Sequence, residues 1–191
     1  MKNNVLALSI VLGLVLLSGC KPEQPADPAA TAPADASAAA ASTPGAAAAP
    51  GTDPASLSEG TMSPYSVPAG LAGAGHCSLD AVNGTPVSQA TLAAGSESTF
   101  SGWMADGANQ VPSPALLVLS SADHAYAARI KADVDRPDVA AVLASDPVKS
   151  FGFNAKVALA GVAPGSYSAM VVYGAAGNQT SCSFNAQLAV N

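Results

Sequence analysis

The sequence predicts an all-β fold: an antiparallel β-sandwich, immunoglobulin-like or jelly-roll-like, carrying one short helix and preceded by a disordered tether. Three observations predict it. From Thr180 the even positions run Thr180, Cys182, Phe184, Ala186, Leu188 and Val190, against Ser181, Ser183, Asn185, Gln187 and Ala189 on the odd ones, a period of two. Turn signals such as Asn83-Gly84 and Pro164-Gly165 recur at short intervals through residues 77–191. Between Lys21 and Met62 the chain is instead alanine punctuated by proline, with no large apolar side chain except Leu57 and Met62.

Composition narrows the function classes. Thirteen acids against seven bases give a net charge of −6, which excludes a basic nucleic-acid binder. No stretch reaches the roughly 20 apolar residues of a spanning helix, which excludes a polytopic helical membrane protein. The 49% hydrophobic content with only 10% charged residues is an average over three unlike segments: 1–19, 20–62 and 63–191.

The first segment carries Lys2, an apolar run from Val5 to Leu17, and then Leu17-Ser18-Gly19-Cys20. A charged start, a short apolar core and small residues at the end have the form of a secretory signal peptide. The last four residues resemble the lipobox of bacterial lipoproteins. That resemblance implies cleavage before Cys20, lipidation (palmitate included) of the Cys20 thiol and amine, and attachment to a membrane through several acyl chains. Lys21 stands where inner-membrane lipoproteins of Gram-negative bacteria tend to carry Asp, so the resemblance implies the outer membrane, with the domain facing the periplasm or the surface.

Residues 20–62 are expected to form the tether. Lys21 to Met62 holds 15 Ala and seven Pro, and the prolines leave no uninterrupted run as long as the roughly 12–15 residues that an isolated helix needs. Such a chain would span about 130 Å as extended polyproline or about 35 Å as a coil.

In the domain 63–191, Tyr65, Val67 and Leu71 are available to pack in a lead-in. Strands are then expected at Cys77–Val82, 98–105, 115–120, 125–132 with Tyr126, Ala128 and Ile130 inward, 153–159, 167–173 and 180–190. Only residues 137–144 look helical, with Pro137 in the first turn and Val139, Val142 and Leu143 on one side. Seven or eight short strands describe a sandwich, with a small barrel as the alternative architecture.

Cys77 opens this domain and Cys182 lies in its last strand, in a chain expected to be exported, so the two are expected to form a disulfide. The alternative pairs them as metal thiolates with His76 and His124, but the spacing is not that of a zinc site. No metal or other cofactor is expected.

For chemistry the inventory is thin. Neither His76 nor His124 lies near a Gly-x-Ser-x-Gly elbow, and there is no phosphate-binding loop, dinucleotide fingerprint or Cys-x-x-Cys. The run Asp133 to Asp138 has three close acids, yet lacks the glycine and glutamate positions of a calcium loop. No catalytic set is expected. Trp103, the only Trp, either anchors a core or offers its face to a sugar ring. Asp106, Arg136 and Asp138 are read as a polar cluster beside it, fixing a loop or touching a ligand.

The segments Gly102-Trp103-Met104-Ala105-Asp106, Arg136-Pro137-Asp138-Val139-Ala140 and Gly152-Phe153 resemble, in type and order, a β-sandwich module appended to some bacterial membrane glycosyltransferases and cell-surface proteins. The resemblance implies a sandwich associated with carbohydrate and no catalytic residues. The expected function is therefore a non-enzymatic, lipid-anchored envelope protein that binds envelope glycan or a partner protein. The alternative is a structural or accessory envelope lipoprotein with no small-molecule ligand.

Overall fold

A computed structural model describes residues 53–144 and 149–191; the expected signal peptide, Cys20 and the tether as far as Thr52 lie outside the described residues. The strands are β1 (Ser63–Pro64), β2 (Ala72–Gly73), β3 (His76–Val82), β4 (Thr85–Pro86), β5 (Thr91–Leu92), β6 (Glu97–Ala105), β7 (Ala115–Ser120), β8 (Ala125–Ile130), β9 (Gly152–Ala158), β10 (Gly165–Tyr173) and β11 (Thr180–Val190), with the helix α1 (Pro137–Val142) between β8 and β9. They form two sheets. One has the order β1-β8-β7-β10-β11-β2, with β5 also on β11, and the other has the order β4-β3-β6-β9. The all-β sandwich expected from the sequence is the observed fold.

The expected local signals produce the turns and strands. Asn83 and Gly84 both take positive φ, 52° and 74°, as a two-residue hairpin turn between β3 and β4 requires. The Asn83 side chain then accepts from the Thr99 amide at 2.8 Å, fixing the turn to β6. In β11 the even residues face inward, and Leu188 and Val190 are buried there. A register shift opposite Ala169/Met170, with Asn185 at φ 52°, bends this strand without changing which face its even residues occupy.

The inner faces of the sheets meet in one core. Leu117, Leu119, Tyr126, Tyr167, Val171 and Leu188 come from the larger sheet, and Leu79, Phe100, Met104, Phe153 and Val157 from the smaller. The disulfide joins Cys77 on β3 to Cys182 on β11, with Cα atoms 6.2 Å apart, so it ties one sheet to the other. Both thiols are consumed, which removes the metal-thiolate alternative.

β7 is Ala-Leu-Leu-Val-Leu and is buried on both faces, although a two-sheet sandwich covers only one face of each sheet. The second cover is the chain on either side of β1. Leu57 and Tyr65, each 6% exposed, pack with Leu116, Val118, Ala127 and Val172 on the outer face of the larger sheet. This corrects the expected boundary at residue 63, because residues 53–62 belong to the sandwich. Asp53 accepts from the Ala55 amide and caps a short 3-10 turn at Pro54–Ser56. The chain then runs as a strap from one sheet to the other: Gly60 donates to the Arg129 carbonyl on β8, and Met62 donates to Ala158 on β9. Edge strands present unpaired backbone groups that a second chain can add to, and the strap occupies part of both edges.

The helix is shorter than expected and its buried face is turned. Successive helical residues rotate by about 100°, so Val139, Ala140 and Leu143 fall within one sector while Val142 lies outside it. Val139 and Ala140 are buried, whereas Val142 is 84% exposed. The expectation that Val142 shares the inward side is therefore corrected.

Candidate functional site

The outer face of the smaller sheet holds the candidate site. In β6 the inward residues are Phe100, Gly102 and Met104, which leaves Trp103 pointing outward, and its cross-strand partners are Ser78 on β3 and Gly152 on β9. Ser78 is small, and the space that a side chain at Gly152 would fill is taken by Arg136, which lines the same cleft as the indole. The helix supplies one wall: Trp103, half-buried, packs against the cluster of Ala105, Val139, Ala140 and Phe151, with Leu143 alongside. Trp103 is thus neither a residue of the inter-sheet core nor a fully exposed platform. It lines a cleft of about 240 Å³ together with Arg136, Asp138, Val139, Val142 and Leu143.

Arg136 enters because Gly152 has no side chain. A Cβ at Gly152 would lie 2.8 Å from the Arg136 Cγ and 2.9 Å from the Val134 carbonyl oxygen. With glycine there, the arginine stem lies over β9, and Val134 and Gly152 exchange backbone hydrogen bonds at 2.8 and 2.9 Å.

Each nitrogen of the guanidinium donates one hydrogen bond. Nε donates to Asp138 Oδ1 at 2.9 Å and Nη2 to Oδ2 at 2.8 Å, a bidentate fork, while Nη1 donates to Asp80 Oδ2 at 2.8 Å. Asp80 in turn accepts from the Ser78 hydroxyl at 3.0 Å. The arginine side chain is 25% exposed and the Asp138 side chain 65%. The hydrogen bonds from Arg136 hold the Asp138 carboxyl well below its ordinary range, at about 2. The same bonds, those to Asp138 first, push the Arg136 guanidinium above its already high value.

Three of the four expected ligand residues, Trp103, Arg136 and Asp138, therefore converge. Asp106 does not join them, which corrects the expected cluster. Its Oδ1 accepts from the amides of Ala108 and Gln110 at 2.9 and 2.7 Å, so it closes the turn after β6. It lines a separate pocket of about 390 Å³ with Tyr173 and Thr180, where burial pushes the Tyr173 phenol up and its hydroxyl donates to the Ala74 carbonyl at 2.6 Å. Asp80 takes the place expected of Asp106. Nothing in the sequence around Asp80 marks it, because its role depends on a register shift in β3 between Leu79 and Ala81.

The three short segments singled out in the sequence meet in space. Gly102 pairs with Phe153 and Trp103 with Gly152 across β6 and β9, and a Cβ on Gly102 would clash with the Ser78 carbonyl oxygen and the Phe153 ring at 2.2 and 2.8 Å. Chemically, the cleft offers an aromatic face, an apolar wall and the outer edge of a carboxylate already held ionised. These suit stacking and hydrogen-bond acceptance. Among the described residues no group of three or more His, Cys, Asp or Glu side chains is placed to hold a metal ion. No family model matches the chain, and no match is found among curated proteins or among solved structures.

Proposed function

We propose that this chain is a lipid-anchored envelope protein that presents a non-enzymatic sugar-binding module, with the Trp103 cleft as the binding site for envelope glycan. The observation that carries the reading is that Trp103, half-buried on the outer face of the smaller sheet, lines one cleft with Asp138. Pyranose rings present C–H faces to aromatic rings and hydroxyls to carboxylates, and this cleft has one of each. The lipobox-like Leu17-Ser18-Gly19-Cys20 and the inter-sheet disulfide support export and anchoring at the outer membrane. Among the described residues no helix is long and apolar enough to cross a membrane.

The competing reading is an accessory envelope lipoprotein without a small ligand. It draws on the pairing of Arg136 with both Asp80 and Asp138, which makes the cluster a clamp holding α1 to the sheet. A panel of envelope polysaccharides separates the two. The glycan reading expects saturable binding to at least one, lost in Trp103→Ala with the fold intact, whereas the accessory reading expects binding to none.

A further inference from the structure

Val142 is the most exposed large apolar side chain among the described residues, at 84%. The face of α1 that packs on the sheet carries Val139 and Ala140 instead, yet Val142 lines the Trp103 cleft. Four residues before it stands Asp138, on the same helix and lining the same cleft. Residues i and i+4 of a helix are neighbours on one face, with Cβ atoms about 5–6 Å apart. Beside the indole, the cleft therefore sets a carboxylate and a pair of methyl groups next to each other, one helical turn apart.

The carboxylate keeps acceptor capacity. Each of its oxygens accepts one hydrogen bond from Arg136, and an ionised carboxylate has about four acceptor positions. The Asp138 side chain is 65% exposed, which leaves the others open to a ligand. Arg136 against Asp80 and Asp138 gives the cluster one net negative charge, so an acidic substituent is repelled. A hydroxyl or an ammonium group donates to the carboxylate but brings nothing for Val142 to cover. An acetamido group brings both, because in a trans amide the N–H and the methyl lie on the same edge of one plane, away from the carbonyl oxygen.

We propose that the Trp103 cleft selects N-acetylated amino sugars, with the pyranose ring on the indole, the acetamido N–H on Asp138 and the acetamido methyl against Val142. The proposal rests on the sugar-binding reading and adds to it the class of sugar.

The test uses three tetrasaccharides with one β-1,4-linked backbone and different groups at C2: the N-acetylglucosamine tetramer, its fully de-N-acetylated form, and cellotetraose. Each is titrated into the chain from Lys21 onward, which contains both sheets and the strap, while Trp103 fluorescence is followed. The N-acetylated tetramer is expected to bind at least about fourfold more tightly than the other two. Val142→Ser, at an exposed position, should remove that preference, and Asp138→Asn should weaken binding of the N-acetylated tetramer about tenfold. If Asp138→Asn fails to fold, Val142→Ser decides alone. Equal or tighter binding of cellotetraose or of the de-N-acetylated tetramer, or a preference that Val142→Ser leaves unchanged, overturns the proposal while the sugar-binding reading stands. Binding of none of the three also overturns it, and the wider reading then stands or falls with the polysaccharide panel.

Discussion

Trp103 and Gly152 are direct partners across β6 and β9, and the side chain missing from Gly152 is replaced by the stem of Arg136. One glycine thus determines where the arginine lies beside the indole. The cleft, the ion-pair cluster and the seating of α1 all depend on it.

Gly152→Ala tests this dependence. The new Cβ would sit 2.8 Å from Arg136 Cγ and 2.9 Å from the Val134 carbonyl oxygen, so both the arginine and the backbone bridge must move. A loss of about 1–3 kcal/mol in denaturant unfolding is expected, together with a shifted emission maximum of Trp103. An unchanged midpoint and emission would mean that the stem has room elsewhere.

The arginine clamp makes a pH prediction. Asp138 titrates at about 2 in the folded protein, below the roughly 3.9 of an unfolded aspartate. Its contribution to stability is therefore complete above about pH 4 and is lost as the pH falls through 2. In Arg136→Gln the Asp138 carboxyl should return to its ordinary range in a carbon-detected NMR titration, and the matching part of the acid-unfolding slope should disappear.

The strap makes a stability prediction. Leu57 is 6% exposed against the outer face of the larger sheet, so Leu57→Ala should cost about 2–4 kcal/mol in urea unfolding. A chain beginning at Ser63 should bind a hydrophobic dye and aggregate, because Leu116 and Val118 lose their cover. Equal stability of the two chains would return residues 53–62 to the tether.

The disulfide makes a covalent one. Cys77 and Cys182 are 105 residues apart in sequence, and removing a bridge of this kind costs about 2–5 kcal/mol. Cys77→Ala with Cys182→Ala should lower the unfolding midpoint accordingly, and the denatured, unreduced domain should show no free thiol.

Much of the fold was legible because the strands obey simple periodicity. Thr180 to Val190 alternates, Asn83-Gly84 turns, and Tyr126, Ala128 and Ile130 point inward as their spacing requires. The strap was not legible as structure because Pro54 to Met62 has too few apolar residues to show a period. Leu57 and Met62 were nevertheless the only large apolar residues in the alanine-proline stretch, and these two are buried, at 6% and 3%. They were the available signal. In the site, Trp103 and Arg136 were visible as rare residue types, the single Trp and one of two Arg, and Asp138 by its place two residues after Arg136. Asp80 was not, since its partnership with Arg136 spans 56 residues, and no local pattern encodes a contact at that range. Asp106 was misplaced for the opposite reason: its side chain accepts from the amides two and four residues on in the turn, and a local bond of this kind competes well with a distant one.

The most direct measurement uses the chain's single tryptophan, so that all indole emission comes from the cleft itself. Envelope polysaccharides are titrated into the protein while Trp103 fluorescence is followed. The account predicts a saturable blue shift or quench with at least one of them, weakened in Asp138→Asn, retained in part by a binding assay of Trp103→Phe, and lost in Trp103→Ala. Emission unchanged across the whole panel, or glycan binding that survives Trp103→Ala, would contradict it.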